Sequence, residues 1–195
     1  VLTDIPDQSI DEDTVFTYTL TATDVDSDET IYSVVIIEGN ATYDLNDSQL
    51  SVYPDLNFNG NIQISIAASD GEFATSQSFT LSVLPVNDAP VLTDIPDQSI
   101  DEDTVFTYTL TATDVDDTEL LYSATVDGNA SVDVTGSTLT ITPDLDFNGD
   151  ILVDVSVSDG VLTDTNSFTL SVLPVNDAPV LTDIPDQSID EDTVF

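Results

Sequence analysis

Oxygen-bearing side chains are the groups in this chain that could do chemistry, and they are concentrated in short runs. The clearest runs and single positions are Asp11-Glu12-Asp13, Asp24-Val25-Asp26-Ser27-Asp28, Asp55, Asp70 and Asn87-Asp88. The chain contains 39 Asp and Glu residues but no Lys, Arg, His or Cys. Without imidazole or thiolate ligands, such clusters suit hard cations such as Ca²⁺ or Mg²⁺ rather than zinc or redox metals.

The lack of cationic side chains excludes several classes of function. The formal charge is −39, and binding to nucleic acid or to anionic lipid would require Lys and Arg. The usual catalytic bases and activated nucleophiles are also missing. Paired carboxylates can cleave glycosides, but in so acidic a chain such pairs arise by chance. We therefore predict a protein that is not an enzyme and that binds neither nucleic acid nor membrane directly.

Two explanations are open for the many acidic residues. A surface adapted to high salt would scatter them over the outward faces of strands, whereas the predicted strands 15–22, 62–68 and 78–84 contain none. Clustered like charges in loops destabilise a compact fold unless a cation is bound there. The distribution therefore favours metal binding in the loops.

An internal repeat of about 90 residues organises the chain. The sequence VLTDIPDQSIDEDTVF begins at Val1, Val91 and Val180, and SFTLSVLPVNDAP ends at Pro90 and Pro179. We predict one module over 1–90, a second over 91–179, and the first strand of a third over 180–195. The connecting segment 84–90 contains two prolines and no glycine, which predicts a stiff linker.

Each module is predicted to be all-β. Apolar and polar residues alternate from Val15 to Ala22 and from Ile62 to Ala68, and the dipeptides Asn59-Gly60 and Asp70-Gly71 indicate turns. The predicted strands of the first module are 8–10, 15–22, 31–35, 41–45, 50–53, 62–68 and 78–84. Seven short strands, each apolar on one face, predict tandem immunoglobulin-like Greek-key sandwiches.

Four short motifs follow one another within the first module. They are Asp11-Glu12, Ala22-Thr23-Asp24-Val25-Asp26, Ala68-Ser69-Asp70-Gly71 and Val86-Asn87-Asp88-Ala89-Pro90. In this order and with this period they resemble the cadherin repeat and its bacterial cadherin-like relatives, which form tandem arrays in giant surface adhesins. The resemblance covers each whole module. It implies a secreted, cell-surface segment of a calcium-stiffened fibre or adhesin stalk, which serves surface projection, adhesion, or matrix and filament assembly. Its partners would be further copies of the repeat and neighbouring fibres.

The resemblance also implies that calcium lies between consecutive modules. At the first joint the implied ligands are Glu12, Asp55, Asn87 and Asp88 from the first module and Asp114, Asp116 and Asp159 from the second. At the second joint they are Glu102, Asp144, Asn176 and Asp177. The remaining implied ligands, which would face a preceding module, are Asp24, Asp26 and Asp70.

The chain departs from the cadherin pattern at three places. Pro85 and Pro174 stand where that family has an Asp, and the Asn that follows the linker Asp is absent. The segment Pro54–Asn57 replaces the family's acidic triplet. We therefore expect fewer calcium ions per joint than in the vertebrate proteins, about one or two.

Other arrangements remain compatible with the sequence. The modules could form a metal-free acidic spacer of a matrix or surface layer, kept soluble by charge alone. Fibres could also assemble laterally, either through calcium that bridges acidic faces or through a first strand that completes the sheet of another module.

Overall fold

The computed structural model describes residues 1–26, 29–192 and 194. Asp28, the last residue of the second acidic run, and Phe195, the end of the third copy, lie outside the described residues. The chain divides into two compact units, residues 1–88 and 89–195. Regular structure in the described part of the chain is entirely β, and the described residues contain no helix that could span a membrane.

The first unit is a sandwich of two sheets. Its strands are β1 (Gln8–Asp11), β2 (Phe16–Thr19), β3 (Ile31–Glu38), β4 (Ala41–Asn46), β5 (Gln49–Pro54), β6 (Gly60–Ser69) and β7 (Ala74–Leu84). One sheet has the order β1-β7-β6-β3 and the other the order β2-β5-β4. The pairing of β1 with β7 is parallel, and the other pairings are antiparallel. The predicted all-β sandwich is therefore confirmed.

The second unit repeats this topology with two additional short strands. Its strands are β8 (Val91–Leu92), β9 (Gln98–Asp101), β10 (Phe106–Thr109), β11 (Ala112–Thr113), β12 (Leu121–Val126), β13 (Ala130–Thr135), β14 (Thr138–Pro143), β15 (Gly149–Ser158) and β16 (Thr163–Leu173). The two main sheets have the orders β12-β15-β16-β9 and β10-β14-β13. The pair formed by β8 and β11 corresponds to a single bridge between Leu2 and Ala22 in the first unit.

The cores lie between the two sheets of each unit. Ile62, Ile64 and Ile66 of β6 are fully buried, while the residues between them face outward or are half-buried. The rings of Phe16 and Phe79 join the two sheets of the first unit with their centroids 6.0 Å apart. This alternation is what a sheet with one buried face requires, and it leaves the acidic loops at the ends of each sandwich.

The strand that was predicted over Val15 to Ala22 is shorter in the structure. Its alternation of burial is correct, since Phe16 and Leu20 are buried, but β2 ends at Thr19. Beyond that residue the backbone changes partner: Leu20 donates to the carbonyl of Ser48, and the carbonyl of Thr21 accepts from Thr3. The alternation of buried and exposed side chains continues past Thr19, because the same face of the chain points inward with either backbone partner.

The third copy of the repeat behaves differently from the first two. Within Val180–Asp192 no strand is formed, and the whole segment is exposed. Leu181 is 88% exposed, whereas its equivalent Leu2 is 7% exposed. The same sequence forms β1 and β9 because β7 and β16 provide a partner strand there, so the segment requires a neighbouring sheet to become a strand.

Candidate metal centre

The turn that follows β1 carries a buried carboxylate. Glu12 is only 3% exposed, and its backbone N–H donates to the carbonyl of Leu84 over 2.9 Å. Its Oε1 accepts a hydrogen bond of 2.6 Å from the backbone N–H of Val86, and its Oε2 accepts a longer one of 3.4 Å from Asn59 Nδ2. Glu12 therefore joins the first turn, the loop before β6 and the segment that follows β7.

The second unit reproduces this arrangement. Glu102 is 6% exposed, and its Oε1 and Oε2 accept hydrogen bonds from the backbone N–H of Val175 and from Asn148 Nδ2. Glu12 and Glu102 are the buried charged residues among those described. Because no side chain of the protein is cationic, both carboxylates are balanced only by hydrogen-bond donors.

The residue after each buried glutamate adopts a left-handed backbone conformation. Asp13 and Asp103 have φ of 58° and 59°, which Asp tolerates better than most residues. Asp13 Oδ1 accepts a hydrogen bond of 2.9 Å from the backbone N–H of Asn57, and Asp103 Oδ1 accepts one of 3.0 Å from Asp146. The turn after the first strand is thereby fastened to the loop before β6 or β15.

Three carboxylates meet at this end of the second unit. Oxygens of Asp103, Asp146 and Asp177 lie within 4.8 Å of one another, and all three residues are exposed. Desolvation raises the pKa of Asp146 above its ordinary value, and the negative charges of Asp103, Asp177 and Glu102 raise it further. Three acidic groups at this separation repel each other, so a bound cation would stabilise their ionised form.

The three equivalent positions of the first unit are less acidic. The equivalent positions are Asp13, Asn57 and Asp88, so a neutral amide replaces the central carboxylate. The backbone contact from residue 57 to Asp13 is nevertheless retained. The oxygen-bearing side chains at these positions of the two units therefore differ by one negative charge.

The opposite end of each unit carries a second group of aspartates. Asp24 Oδ1 accepts from the backbone N–H of Asp26 over 2.9 Å, and Asp114 Oδ1 accepts from those of Asp116 and Asp117, each over 2.8 Å. These contacts make each aspartate the first residue of a tight turn. The other oxygen of Asp114, Oδ2, is buried and accepts no hydrogen bond from any described residue.

A third aspartate caps the turn after β6 or β15. Asp70 Oδ1 accepts hydrogen bonds from the backbone N–H groups of Glu72 and Phe73, over 2.8 and 2.7 Å. The bond from Phe73 is the main reason that the pKa of Asp70 lies below its ordinary value, and the bond from Glu72 also contributes. Asp159 makes two equivalent contacts in the second unit. Asp24 and Asp70 line one cavity of about 160 Å³ in the first unit.

The structure brings some of the sequence-predicted ligands together and adds two that sequence reasoning missed. At one end of the second unit, Asp177 belongs to the three-carboxylate group and Glu102 lies within its electrostatic reach. Asp144 lies in the same loop as Asp146, and its carbonyl accepts from Phe147, but its carboxylate is not a member of the group. The side-chain amide of Asn176 donates to the carbonyl of Asp177.

The two missed residues are Asp103 and Asp146. Asp146 could be found by comparing the two modules. The tripeptide Pro-Asp-Leu recurs at 54–56 and 143–145, and the next residue carries a side-chain oxygen in both modules, as Asn57 and as Asp146. Asp103 could be found from the third position of the run Asp101-Glu102-Asp103. Its left-handed conformation, which directs it to the same loop, is not visible in the sequence.

The ligand set fits calcium better than other metals. Calcium accepts six to eight oxygens, from carboxylates, amides and backbone carbonyls, in a flexible geometry. The group at Asp103, Asp146 and Asp177 offers only oxygen, and Asp114 Oδ2 is a buried anionic oxygen for which the described residues provide no hydrogen-bond donor. A buried anionic oxygen without a hydrogen-bond donor is costly, and a cation would remove that cost.

Comparison with known proteins identifies the modules. A family model of the cadherin-like domain matches residues 2–84 and again residues 86–173. Chitinase A of Pseudoalteromonas piscicida is 31% identical over 154 residues, which are 77% of this chain and 19% of the chitinase. The chain therefore spans about a fifth of that relative.

A solved protocadherin structure supports the fold, and a second is reported for comparison only. A protocadherin fragment described as PcdhgB3 EC1-4 superimposes with a TM-score of 0.56 at 19% identity, over 90% of this chain and 50% of that one. The EC1-2 fragment of human protocadherin-24 gives a TM-score of 0.48 at 15% identity, over 83% of this chain and 88% of that one. With two matched copies that together cover most of its length, the chain belongs to the cadherin-like domain family.

Proposed function

We propose that this chain is a structural segment of an extracellular fibre or adhesin stalk in which calcium stiffens successive modules. Cadherin-like domains indicate an extracellular adhesive or structural repeat and are not enzymes. The proposed repeating unit is residues 1–90 and then 91–179, with 180–195 as the beginning of a third. Surface projection, adhesion and matrix or filament assembly are the roles that such a segment would serve.

The observation that carries this proposal is the group formed by Asp103, Asp146 and Asp177. The chain has 39 acidic side chains and no cationic one, so a counter-charge must come from solution. Desolvation and the neighbouring carboxylates raise the pKa of Asp146, so its ionised form is disfavoured without a counter-charge. A divalent ion at this position would neutralise the group and hold together the three loops that contribute to it.

We propose that each module has two sets of metal ligands, one at each end. In the second unit, Asp103, Asp146 and Asp177 would bind an ion directly, and Glu102 would position the segment that carries Asp177. The other proposed ligands remain those implied by the cadherin pattern, including Asp55, Asp144, Asn87 and Asn176 near the end of each module. At the other end they are Asp24, Asp26 and Asp70 in the first unit and Asp114, Asp116 and Asp159 in the second.

The expected energies suit stiffening rather than folding. Extracellular modules bind calcium with dissociation constants of about 10⁻⁴ to 10⁻³ M. A tenfold excess of free calcium would then add about 1.4 kcal/mol per site, against about 5–15 kcal/mol for folding of a typical domain. Each sandwich would therefore fold without metal, and calcium would restrict motion of its end loops.

The proposal is tested by small-angle scattering and calorimetric titration of the whole chain. We expect calcium to bind with dissociation constants of about 10⁻⁴ to 10⁻³ M. We also expect the scattering to show a narrower range of conformations in calcium than in chelator. Magnesium at the same concentration is the control, because it keeps more of its water ligands and accommodates irregular oxygen sites less well. Absence of binding heat, or identical scattering with calcium and with chelator, would contradict the proposal.

A second candidate is a metal-free spacer kept soluble by its charge. The alignment with Chitinase A supports a spacer role, with or without metal, because it covers only a fifth of a protein named for a catalytic activity. In that case the modules would separate other domains, and their acidic loops would remain hydrated. The calorimetric titration separates the two candidates, since a spacer of this kind would show no saturable calcium binding.

A further inference from the structure

The outermost strand of the larger sheet in the first unit has one unpaired side. β3 lies at the edge of the order β1-β7-β6-β3 and pairs only with β6 in the described part of the chain. At eight residues it is longer than its equivalent in the second unit, β12, which has six. An exposed strand edge presents backbone N–H and C=O groups to which another strand can pair.

This edge is apolar and carries no charge over most of its length. Residues 30–37 contain no acidic residue, although the chain has 39 acids in 195 positions. Ile31, Val35 and Ile37 are 68%, 59% and 56% exposed along its outer face. A groove of about 440 Å³ adjoins the strand and is lined by Val34, Val35, Ile36, Ala41, Thr42 and Tyr43.

The second unit does not have the same surface. Thr125 of β12 occupies the position of Val35, and its partner on the adjacent strand is the exposed Asp154. In the first unit the partner of Val35 is Ser65. Charged side chains beside an edge strand discourage pairing with other chains. In the first unit such a charge, Glu38, and the bulge next to it lie at the end of β3, so residues 31–36 have no carboxylate beside them of the kind that Asp154 provides in the second unit.

We propose that β3 is a self-association edge that pairs antiparallel with β3 of a second copy of this chain. A cationic partner would be drawn to the acidic loops rather than to this uncharged strand. A second copy of the strand is itself uncharged and apolar over residues 30–37, and its edge has the same unpaired backbone groups. Pairing about a two-fold axis is self-complementary, and it joins the two four-stranded sheets into one of eight strands.

The sequence of β3 defines a favourable register for this pairing. An axis through Ser33 places Ile31 of one copy opposite Val35 of the other on the outer face. On the inner face it places Tyr32 opposite Val34, and both pairs combine large or β-branched side chains. This register uses the regular part of the strand and avoids the bulge between Ile36 and Glu38.

Salt should control the association. Two copies that each carry a formal charge of −39 repel one another at low ionic strength. At about 1 M salt the screening length falls to about 3 Å, which leaves the hydrogen bonds and apolar contacts of the edge. The association needs no calcium, so it is tested with chelator present, and its failure would leave the calcium proposal unaffected.

The first test uses a disulfide, because the chain has no cysteine of its own. Paired positions on antiparallel strands have Cα atoms about 4.5–5.5 Å apart, within the range that a disulfide spans. In 1 M salt with chelator, oxidised Ser33→Cys should form covalent dimers at least about tenfold faster than the matched variant Ser123→Cys on β12. Equal rates for the two variants would overturn the proposal.

The second test measures the reversible dimer by analytical ultracentrifugation of the whole chain. Val35→Asp should raise the dimer dissociation constant at least about tenfold, because it places a carboxylate within the paired strands. Thr125→Asp adds the same charge at the equivalent position of β12 and should leave the dimer unchanged. Circular dichroism establishes that both variants are folded. A wild-type chain that remains monomeric in 1 M salt, or equal effects of the two variants, would overturn the proposal.

Discussion

Glu12 Oε1 lies 2.6 Å from the backbone nitrogen of Val86, so a carboxylate near the beginning of the module fixes the segment that leaves it. Glu102 and Val175 repeat the contact in the second unit. The glutamate implied by the cadherin resemblance as a metal ligand thus also has a structural role that does not depend on metal. This role can be separated from metal binding by measurements in chelator.

We predict that Glu12→Ala destabilises the first unit by about 1–3 kcal/mol in the absence of calcium. The substitution removes the acceptor for the backbone N–H of Val86 and leaves this donor without its partner at a partly buried contact. Hydrogen exchange measured by NMR should show faster exchange of the Val86 amide and of neighbouring amides in β7. Glu12→Gln should have a smaller effect, because its side-chain oxygen can still accept that bond.

The control for this prediction is Glu72→Ala. Glu72 is exposed in the turn after β6, and its backbone N–H rather than its carboxylate makes the contact with Asp70. Its replacement should leave exchange in β7 unchanged. If the two alanine variants behaved alike, the buried carboxylate would not be fixing the segment after β7.

We predict that exchanging the central residues of the two acidic groups changes their calcium affinities in opposite directions. Asp146→Asn should weaken binding at the second unit about tenfold, and Asn57→Asp should strengthen binding at the first by a similar factor, because affinity rises with the number of charged ligands. Both residues use their backbone N–H in the contact with Asp13 or Asp103, so the loops keep that bond. Calorimetric titration of each variant measures the change.

Asp47→Asn serves as the matched control for charge, since Asp47 lies in the turn between β4 and β5. It removes one negative charge from the first unit at the opposite end of β5 from the proposed ligand Asp55. Its effect on calcium affinity should be small and should vanish in high salt. An equal loss of affinity in Asp47→Asn and Asp146→Asn would indicate general attraction to a polyanion instead of a site.

The chelated protein should show opposite pH effects from two aspartates. The pKa of Asp146 is raised on folding, so its contribution to stability is present below the ordinary pKa of Asp and is lost as pH rises through the raised value. The pKa of Asp70 is lowered, so its contribution is present above the ordinary pKa and is lost as pH falls through the lowered value.

Thermal unfolding of the chelated variants measures these contributions between about pH 3 and pH 7. Asp146→Asn should unfold at a higher temperature than the wild type near neutral pH, and this difference should shrink in acid. Asp70→Asn should unfold at a lower temperature near neutral pH, and its difference should also shrink in acid. The same sign of effect for both variants at neutral pH would contradict the assigned causes.

The side-chain pattern predicted the sandwich but not the partners of each strand. Alternation from Phe16 to Ala22 identified the buried face correctly, because burial depends on which side of the strand a residue occupies. The end of β2 at Thr19 depends on a change of backbone partner from β5 to the segment near Thr3. Backbone hydrogen bonds of this kind leave no mark on the alternation, so the boundary was not predictable.

The candidate site was predictable in its location and only partly in its members. Acidic motifs in loops indicated the ends of the modules, and Asp177 and Glu102 lie where those motifs suggested. Asp103 was missed because its position depends on a left-handed backbone conformation at one residue. Asp146 was missed because its equivalent in the first module is an amide, Asn57, which the acidic pattern does not emphasise.

We predict that Asp114→Asn has effects of opposite sign with and without calcium. Asp114 Oδ1 accepts two backbone hydrogen bonds that an asparagine oxygen can keep, whereas the buried Oδ2 accepts none from the described residues. Removing the charge should therefore raise the unfolding temperature of the chelated protein, because a buried anionic oxygen without a hydrogen-bond donor is costly. In saturating calcium the same variant should unfold at a lower temperature than the wild type, because it loses a charged ligand.

Asp24→Asn is the matched control for this prediction. Asp24 is exposed and makes the equivalent turn contact, so its effect without calcium should be smaller. Differential scanning calorimetry in chelator and in calcium distinguishes these cases, and a destabilised Asp114→Asn in both conditions would show that Oδ2 has a partner other than a metal ion.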